Sequence, residues 1–415
     1  MDNWRNILQP MKVIINTAIT IIIALILCQT LAAKEQQQFQ ETKQHLSAQS
    51  EALLMSALEN ISQSKIDEAL TDLDKLRSIN PKFALAQLIY ADLMMAKSQR
   101  ITNFGNLHMK NPEQVNALRD EALARWNYYK SPIDKTLIPS SVIQLANAQD
   151  HVIVVDQSRH RLFLFENRDG VPVYVDDFYV TIGKKGTGKA VEGDQKTPLG
   201  VYFITRFIEP GELPDLYGDG AFPINYPNIW DRRSGRTGTG IWLHGTPSET
   251  FSRPPDDSDG CVIISNDDLN TLAPYIGESQ TTPLILAQEI EWVTKTEWQQ
   301  HRKNFYGHLE QWRKDWESRD AGLYLRHYSK DYEGLGKNYE TWVAHKRRVN
   351  PSKSFIKVNL INTSIFLYPN GTDPILVMTF MQNYSSNNFH RVYRQRQYWR
   401  MGEDGNWRII FEGSV

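Results

Sequence analysis

The chain has 415 residues, 41% of them hydrophobic and 23% charged, with a formal net charge of −2. That length accommodates two or three domains with sizeable cores, and so small a net charge excludes a global field that would recruit nucleic acid or a membrane surface. Only two cysteines are present, Cys28 and Cys261, which excludes a Cys-rich metal site and, in an exported chain that has lost its first segment, an internal disulfide.

Residues 1–12 carry Arg5 and Lys12, residues 13–27 are apolar except for Asn16, Thr17 and Thr20, and Leu31-Ala32-Ala33 supplies small residues beyond them. A basic start, a short apolar core and a small-residue exit form a secretory signal peptide over 1–33. Left uncleaved, the same stretch is an N-terminal membrane anchor, although it is shorter than the roughly 20 residues a span needs. Either way the rest of the chain is exported, which places it in the periplasm, free or anchored to the inner membrane.

Residues 34–49 are rich in Gln, Glu and Lys and read as a linker or exposed helix. From 50 to 99 the apolar spacing turns helical. Leu53, Leu54, Ala57, Leu58 and Ile61 form one stripe, and Ile66, Ala69, Leu70, Leu73 and Leu76 another. Asn80-Pro81 interrupts the pattern, 83–95 resumes it, and 117–129 adds a further helix before a Pro-marked connector. Helix, short turn, helix, Asn-Pro, helix resembles a tetratricopeptide repeat. Little more than one repeat cannot cover its own apolar face, so the helical segment 34–149 packs on the neighbouring domain, on a second copy or on a protein partner.

At Asp150 the composition changes to short β-rich runs over 151–156, 161–165 and 171–182. Asn167-Arg168-Asp169-Gly170 between two of them is a hairpin turn signal. The Gly-rich stretch 183–193 lacks the Gly-Lys-Ser/Thr ending of a phosphate loop. Gly193 to Tyr202 contains Thr197-Pro198-Leu199-Gly200, a turn that leads into a strand. Then Gly240-Ile241-Trp242-Leu243-His244-Gly245-Thr246 delivers a histidine at the end of an apolar run. Seventeen positions after His244, within Ser258-Asp259-Gly260-Cys261-Val262, comes the lone cysteine. One Cys with one nearby His is the minimal equipment for thiolate catalysis, in which the imidazole takes the thiol proton and the sulfur attacks a carbonyl. A thiol serving that role should alkylate well below the free-thiol pKa of about 8.5, whereas reactivity that rises only around that value would favour a scaffold without turnover. The competing reading is a small buried hydrophobe beside an unrelated His.

The stretch resembles the YkuD family of L,D-transpeptidases, whose signature is His-Gly or His-Ser, a loop, then Ser/Thr-His-Gly-Cys. The Thr-Pro-x-Gly turn is a second hallmark, and the resemblance runs from about 150 to 290. It implies that Cys261 is the nucleophile, His244 its base, and the Gly245 carbonyl the group that orients the imidazole. Backbone N–H groups around Gly260 and Cys261 would form the oxyanion hole and Ser258 would brace the turn; Asp259, Trp242 and Tyr226 complete the substrate-side set. Two positions depart from the family pattern. Asp259 stands where a second His is usual, and it should point away from the thiol or pair with a cation. Ile263 stands where Arg or Asn is usual, as in the branch that contains the helical-cell-shape LD-carboxypeptidases. The implied substrates are peptidoglycan stem peptides, cut between an L-configured centre (diaminopimelate) and D-Ala through a thioester, with a transpeptidase or a carboxypeptidase outcome. No metal or organic cofactor is implied. The alternative is a non-catalytic wall-binding or scaffold protein.

Residues 296–415 read as a different domain. A helix over 298–316 carries Trp298, Phe305, Leu309, Trp312 and Trp316, and short helices follow at 324–332 and 339–349. Strands are expected over 355–362, 364–368, 375–384, 391–401 and 407–412. Helices followed by a long antiparallel run make an α+β cone, which resembles the nuclear transport factor 2-like fold. The expected fold class is therefore multidomain: an α-helical N-terminal segment (34–149), a mainly-β catalytic domain (150–292) and an α+β cone (296–415).

Overall fold

The computed structural model describes residues 47–98, 105, 112–277, 282–369 and 374–415. The expected signal segment 1–33 and residues 34–46 of the expected linker lie outside the described residues. Among the described residues no helix is long and apolar enough to cross a membrane.

Four helices come first: 47–62, Ile66–Ile79, Ala84–Ala96 and Pro112–Lys130. The predicted stripes are their inner faces, and Leu54, Ala57, Ala69, Leu73 and Leu76 are fully buried. The Asn80 backbone N–H closes the second helix on the Leu76 carbonyl. The fourth begins five residues before the expected 117, because a proline in the first turn forfeits no hydrogen bond. The open face of these helices is covered from within the chain, as Phe251 of the central domain packs into their core.

The central domain is built on a five-stranded sheet in the order Val171–Tyr179, Arg161–Arg168, His151–Asp156, Pro283–Ala287, Gly200–Phe203. Only the pairing of His151–Asp156 with Pro283–Ala287 is parallel. Ile153, Val155, Leu162 and Leu164 face a core shared with Leu243 and Val262. Val152, Val154, Phe163 and Phe165 face the opposite way, onto Phe366, Val377 and Tyr398 of the last domain. Both faces are covered, which is why these strands read as continuous apolar runs. The predicted hairpin is present, with Asp169 at φ +55 and Gly170 at φ +83, the conformations a two-residue type I′ turn demands.

In the C-terminal domain a capping box of Thr294 and Glu297 opens the helix Lys295–Glu317, whose Trp298, Leu309, Trp312 and Trp316 are buried. The short helix expected at 324–332 lies earlier, at Ala321–Leu325, because Asp320 caps it by accepting from the Gly322 and Leu323 N–H groups. The third helix, Tyr339–Val349, matches its expected span. The two strands expected at 355–362 and 364–368 are one, Ile356–Leu367, whose register shifts between Ile361 and Ser364 with Asn362 at φ +51. It joins Ile375–Ser386, Phe389–Met401 and Trp407–Ser414 in an antiparallel sheet. The free edge accepts a fifth strand, Val142–Gln144, from the connector. Another part of the connector, Ile138–Pro139, pairs with Trp292–Val293. The connector thus ties the domains together instead of spacing them.

Candidate active site

The strand Trp242–His244 lies between Ala221–Pro223, antiparallel, and Val262–Ile263, parallel. The parallel register pairs Leu243 with Val262 and His244 with Ile263. Leu243 and Val262 point into the core. Side chains alternate along a strand, so Trp242 and His244 share the other face. One step back along the register sets Cys261 opposite Trp242, on that same face. Cys261 immediately precedes the strand that pairs with the one ending in His244, and its Sγ donates to the Gly240 carbonyl at 3.5 Å.

His244 is buried and Cys261 partly exposed. The imidazole Nδ1 lies 2.7 Å from the Gly245 carbonyl oxygen. A carbonyl can only accept, so Nδ1 carries the proton and Nε2 keeps its lone pair. The Tyr217 ring packs edge-on to His244 with centroids 5.0 Å apart, and 4.7 Å from the Trp242 ring. Gly245 has no room for a side chain, since a Cβ would lie 2.1 Å from Asn266 Oδ1. Asn266 donates to the Thr246 carbonyl at 2.8 Å and accepts from the Asp219 N–H at 3.0 Å, which fastens the peptide that orients the imidazole.

The turn before the thiol is held from three sides. Ser258 Oγ accepts from the Gly260 N–H at 3.0 Å and donates to the Cys261 carbonyl at 2.6 Å. Thr197 Oγ1 donates to the Gly260 carbonyl at 3.0 Å and accepts from the Gly183 N–H at 2.9 Å. The Lys184 N–H donates to the Ser258 carbonyl at 2.7 Å. Gly260 sits at φ +125, and a Cβ there would come within 2.7 Å of the Lys196 carbonyl oxygen. The Thr-Pro-Leu-Gly turn is thereby explained: its threonine is the strut under the cysteine. The Gly260 N–H is committed to Ser258.

Asp259 is exposed, within 3.4 Å of Lys184 Nζ, and accepts from Gln195 Nε2 at 3.0 Å. The Gln195 hydrogen bond and the Lys184 charge hold its carboxyl below the usual carboxylate range. Trp242 is half-buried beside the pair. Tyr226, expected on the substrate side, is instead buried in the domain core, where its hydroxyl donates to the Thr237 carbonyl at 3.0 Å. The bulk of the ring, facing Tyr202, placed it there. Tyr217 and Asn266 went unnoticed in the sequence. Tyr217 stood in an aromatic stretch with nothing to mark it, and Asn266, at the start of a helix, carries no motif.

Burial pushes the Cys261 thiol up to about 11, with Asp259 adding to the shift and the Trp242 backbone, Arg253 and Lys189 opposing it. Burial likewise pushes His244 down to about 4, although its bond to Gly245 opposes the change. At neutral pH the resting pair is therefore thiol and neutral imidazole. The low-pKa thiolate expected from the sequence is not what this environment stabilises. The arrangement suits a base that removes the proton as the sulfur attacks. Grooves of about 840 and 960 Å³ lie in the C-terminal domain, lined by residues such as His327, Tyr339 and Trp407 in one and Tyr306, Phe355 and Leu360 in the other. Among the described residues no His, Cys, Asp or Glu group is placed to hold a metal ion.

Residues 150–286 match the YkuD family model, described as an L,D-transpeptidase catalytic domain, and residues 304–413 match the Cds6 C-terminal NTF2-like domain. No curated protein sequence matches the chain. Among solved structures, Bd1075 of Bdellovibrio bacteriovorus is 30% identical with a TM-score of 0.60, over 67% of this chain and 98% of that one. The helical cell shape determining protein Pgp2 of Campylobacter jejuni is 22% identical with a TM-score of 0.56, over 66% of this chain and 95% of that one, a likeness of fold.

Proposed function

The chain belongs to the YkuD family, with an L,D-transpeptidase-type domain followed by an NTF2-like domain, and from that premise we propose that it is a cysteine-dependent acyl-transfer enzyme of peptidoglycan stem peptides. The observation that carries this reading is the 2.7 Å bond from His244 Nδ1–H to the Gly245 carbonyl. It leaves Nε2 unprotonated and able to take the proton of Cys261.

In the first half-reaction Nε2 takes the proton of Cys261 as Sγ bonds to the carbonyl carbon of the third stem residue, diaminopimelate. The Cys261 N–H is the candidate donor to the oxyanion. As the tetrahedral centre collapses, the C–N bond breaks, His244 returns the proton to the departing D-Ala amine, and a thioester remains on Cys261. In the second half His244 deprotonates the acceptor. Water yields a trimmed tripeptide and a carboxypeptidase, whereas an amine from a neighbouring stem yields a crosslink and a transpeptidase. Export to the periplasm through residues 1–33 is part of the same proposal, since the substrate lies there. Cell-wall remodelling that sets cell shape would follow, in line with the printed description of Pgp2.

The burial that raises the Cys261 thiol and lowers the His244 imidazole favours a second reading, a wall-binding protein without turnover, because it disfavours the charged form of both groups. Incubation with a disaccharide tetrapeptide, alone and with a second stem as acceptor, separates the readings by product mass. Tripeptide or crosslinked dimer supports the enzyme, and unchanged tetrapeptide at high enzyme concentration supports the binder.

A further inference from the structure

The loop that runs from His244 to Cys261 is gripped from outside by the N-terminal helices. The Phe83 ring lies 4.6 Å from that of Phe251, and the Phe251 N–H donates to the Lys82 carbonyl. Lys82 Nζ donates to the Ser248 carbonyl at 2.9 Å. Ser252 Oγ donates to Glu121 Oε1 at 2.7 Å. Glu121 is in turn held by Arg125, with Nε and Nη2 at 3.0 and 2.9 Å, and both side chains are buried. Arg125 also pairs with Glu51 and lies over the Tyr179 ring at 3.8 Å. Tyr179 and Thr181 then donate their hydroxyls to the Arg253 carbonyl at 3.1 and 3.0 Å. Arg253 Nε reaches Asp257 at 2.9 Å, immediately before the Ser258 turn.

A connection between strands is ordinarily solvated and mobile. This one has its middle residues bonded to a buried ion pair on another domain. A buried pair contributes little net stability, because desolvation offsets the attraction, but it fixes geometry. A module meant only to recruit a partner has no need to bury a charged pair against the loop that carries the nucleophile.

We propose that the N-terminal helices are a brace for the catalytic loop, with Glu121 as a positioning residue that sets the Cys261 turn through Ser252 and the Arg253–Asp257 pair. The kinetic consequence rests on the acyl-transfer reading; the mechanical one does not. In the full-length chain, Ser252→Ala removes the contact while leaving both domains their cores. Hydrogen exchange over 246–258 should rise on the order of tenfold while that of the helix Ile66–Ile79 stays at the wild-type rate. The turnover number on the tetrapeptide should fall on the order of tenfold with KM within twofold, as expected for misplaced reacting groups. Glu121→Gln, which keeps an acceptor for Ser252, should retain most of the rate. Loop exchange equal to wild type overturns the brace, and so does faster loop exchange with undiminished turnover. If the wild type turns over no stem peptide, the acyl-transfer reading fails on its own and the brace is judged by the alkylation rate of Cys261: a rate altered by Ser252→Ala upholds it, and an unaltered rate overturns it.

Discussion

Replacing Thr197 with valine tests the strut beneath the cysteine. Thr197 is fully buried, and its hydroxyl spans the Gly183 N–H and the Gly260 carbonyl. Valine has nearly the same shape, so no cavity opens, but both backbone groups lose their partner. A buried polar group left unpaired costs about 1–3 kcal/mol, so the pair amounts to about 2–6 kcal/mol, a large part of the roughly 5–15 kcal/mol that holds a domain folded. In scanning calorimetry the transition of the central domain should drop by about 5–25 °C. Thr197→Ser keeps the hydroxyl and loses only one methyl, roughly 1 kcal/mol. Because the Gly260 carbonyl immediately precedes the Cys261 amide, turnover in the valine variant should also fall on the order of a hundredfold. A valine variant no less stable and no slower than the serine variant would refute the strut.

Gly260→Ala meets the Lys196 carbonyl oxygen at 2.7 Å from a backbone at φ +125; strain of about 1–3 kcal/mol and loss of turnover are expected, and a soluble variant with wild-type rate would contradict the tight turn. Burial pushes His244 down to about 4 from the ordinary histidine value of about 6.5, so between those values the unfolded chain binds more protons. Its contribution is therefore complete above pH 6.5 and is lost as pH falls through 4, about 3 kcal/mol in all. The stability gap between wild type and His244→Asn should shrink by that amount from pH 7 to 4 in urea titrations, and a constant gap would mean that the imidazole is not desolvated. With its thiol pushed up to about 11, Cys261 should alkylate with iodoacetamide at a rate still climbing beyond pH 8.5; a plateau below pH 8 would reveal a preformed thiolate instead.

What could be read from the sequence was what chemistry ties to residue type over short distances. The His-Gly and Ser-Asp-Gly-Cys segments each carry their own hydrogen bonds, His244 to Gly245 and Ser258 to Cys261, so their roles follow from local order. The apolar stripes and the Asp-Gly hairpin are equally local. Long-range closure was not legible. Val142–Gln144 is too short to show a period, and it became a strand only because the edge of Ile356–Leu367 was open. Ser252 meets Glu121 across 131 positions, a contact that neither residue announces. The thiol's acidity also escaped, because it is set by how deeply the folded chain desolvates the sulfur. Tyr226 shows the converse error: an aromatic near the motif is more readily core than groove.

The central claim concerns which atom carries the acyl group. Wild-type protein mixed briefly with disaccharide tetrapeptide, quenched in acid and weighed intact should gain the mass of the acyl fragment that remains after D-Ala departs, mapped by peptide sequencing to Cys261 and missing from Cys261→Ala. An adduct on another residue, or D-Ala release undiminished in Cys261→Ala, would contradict the account.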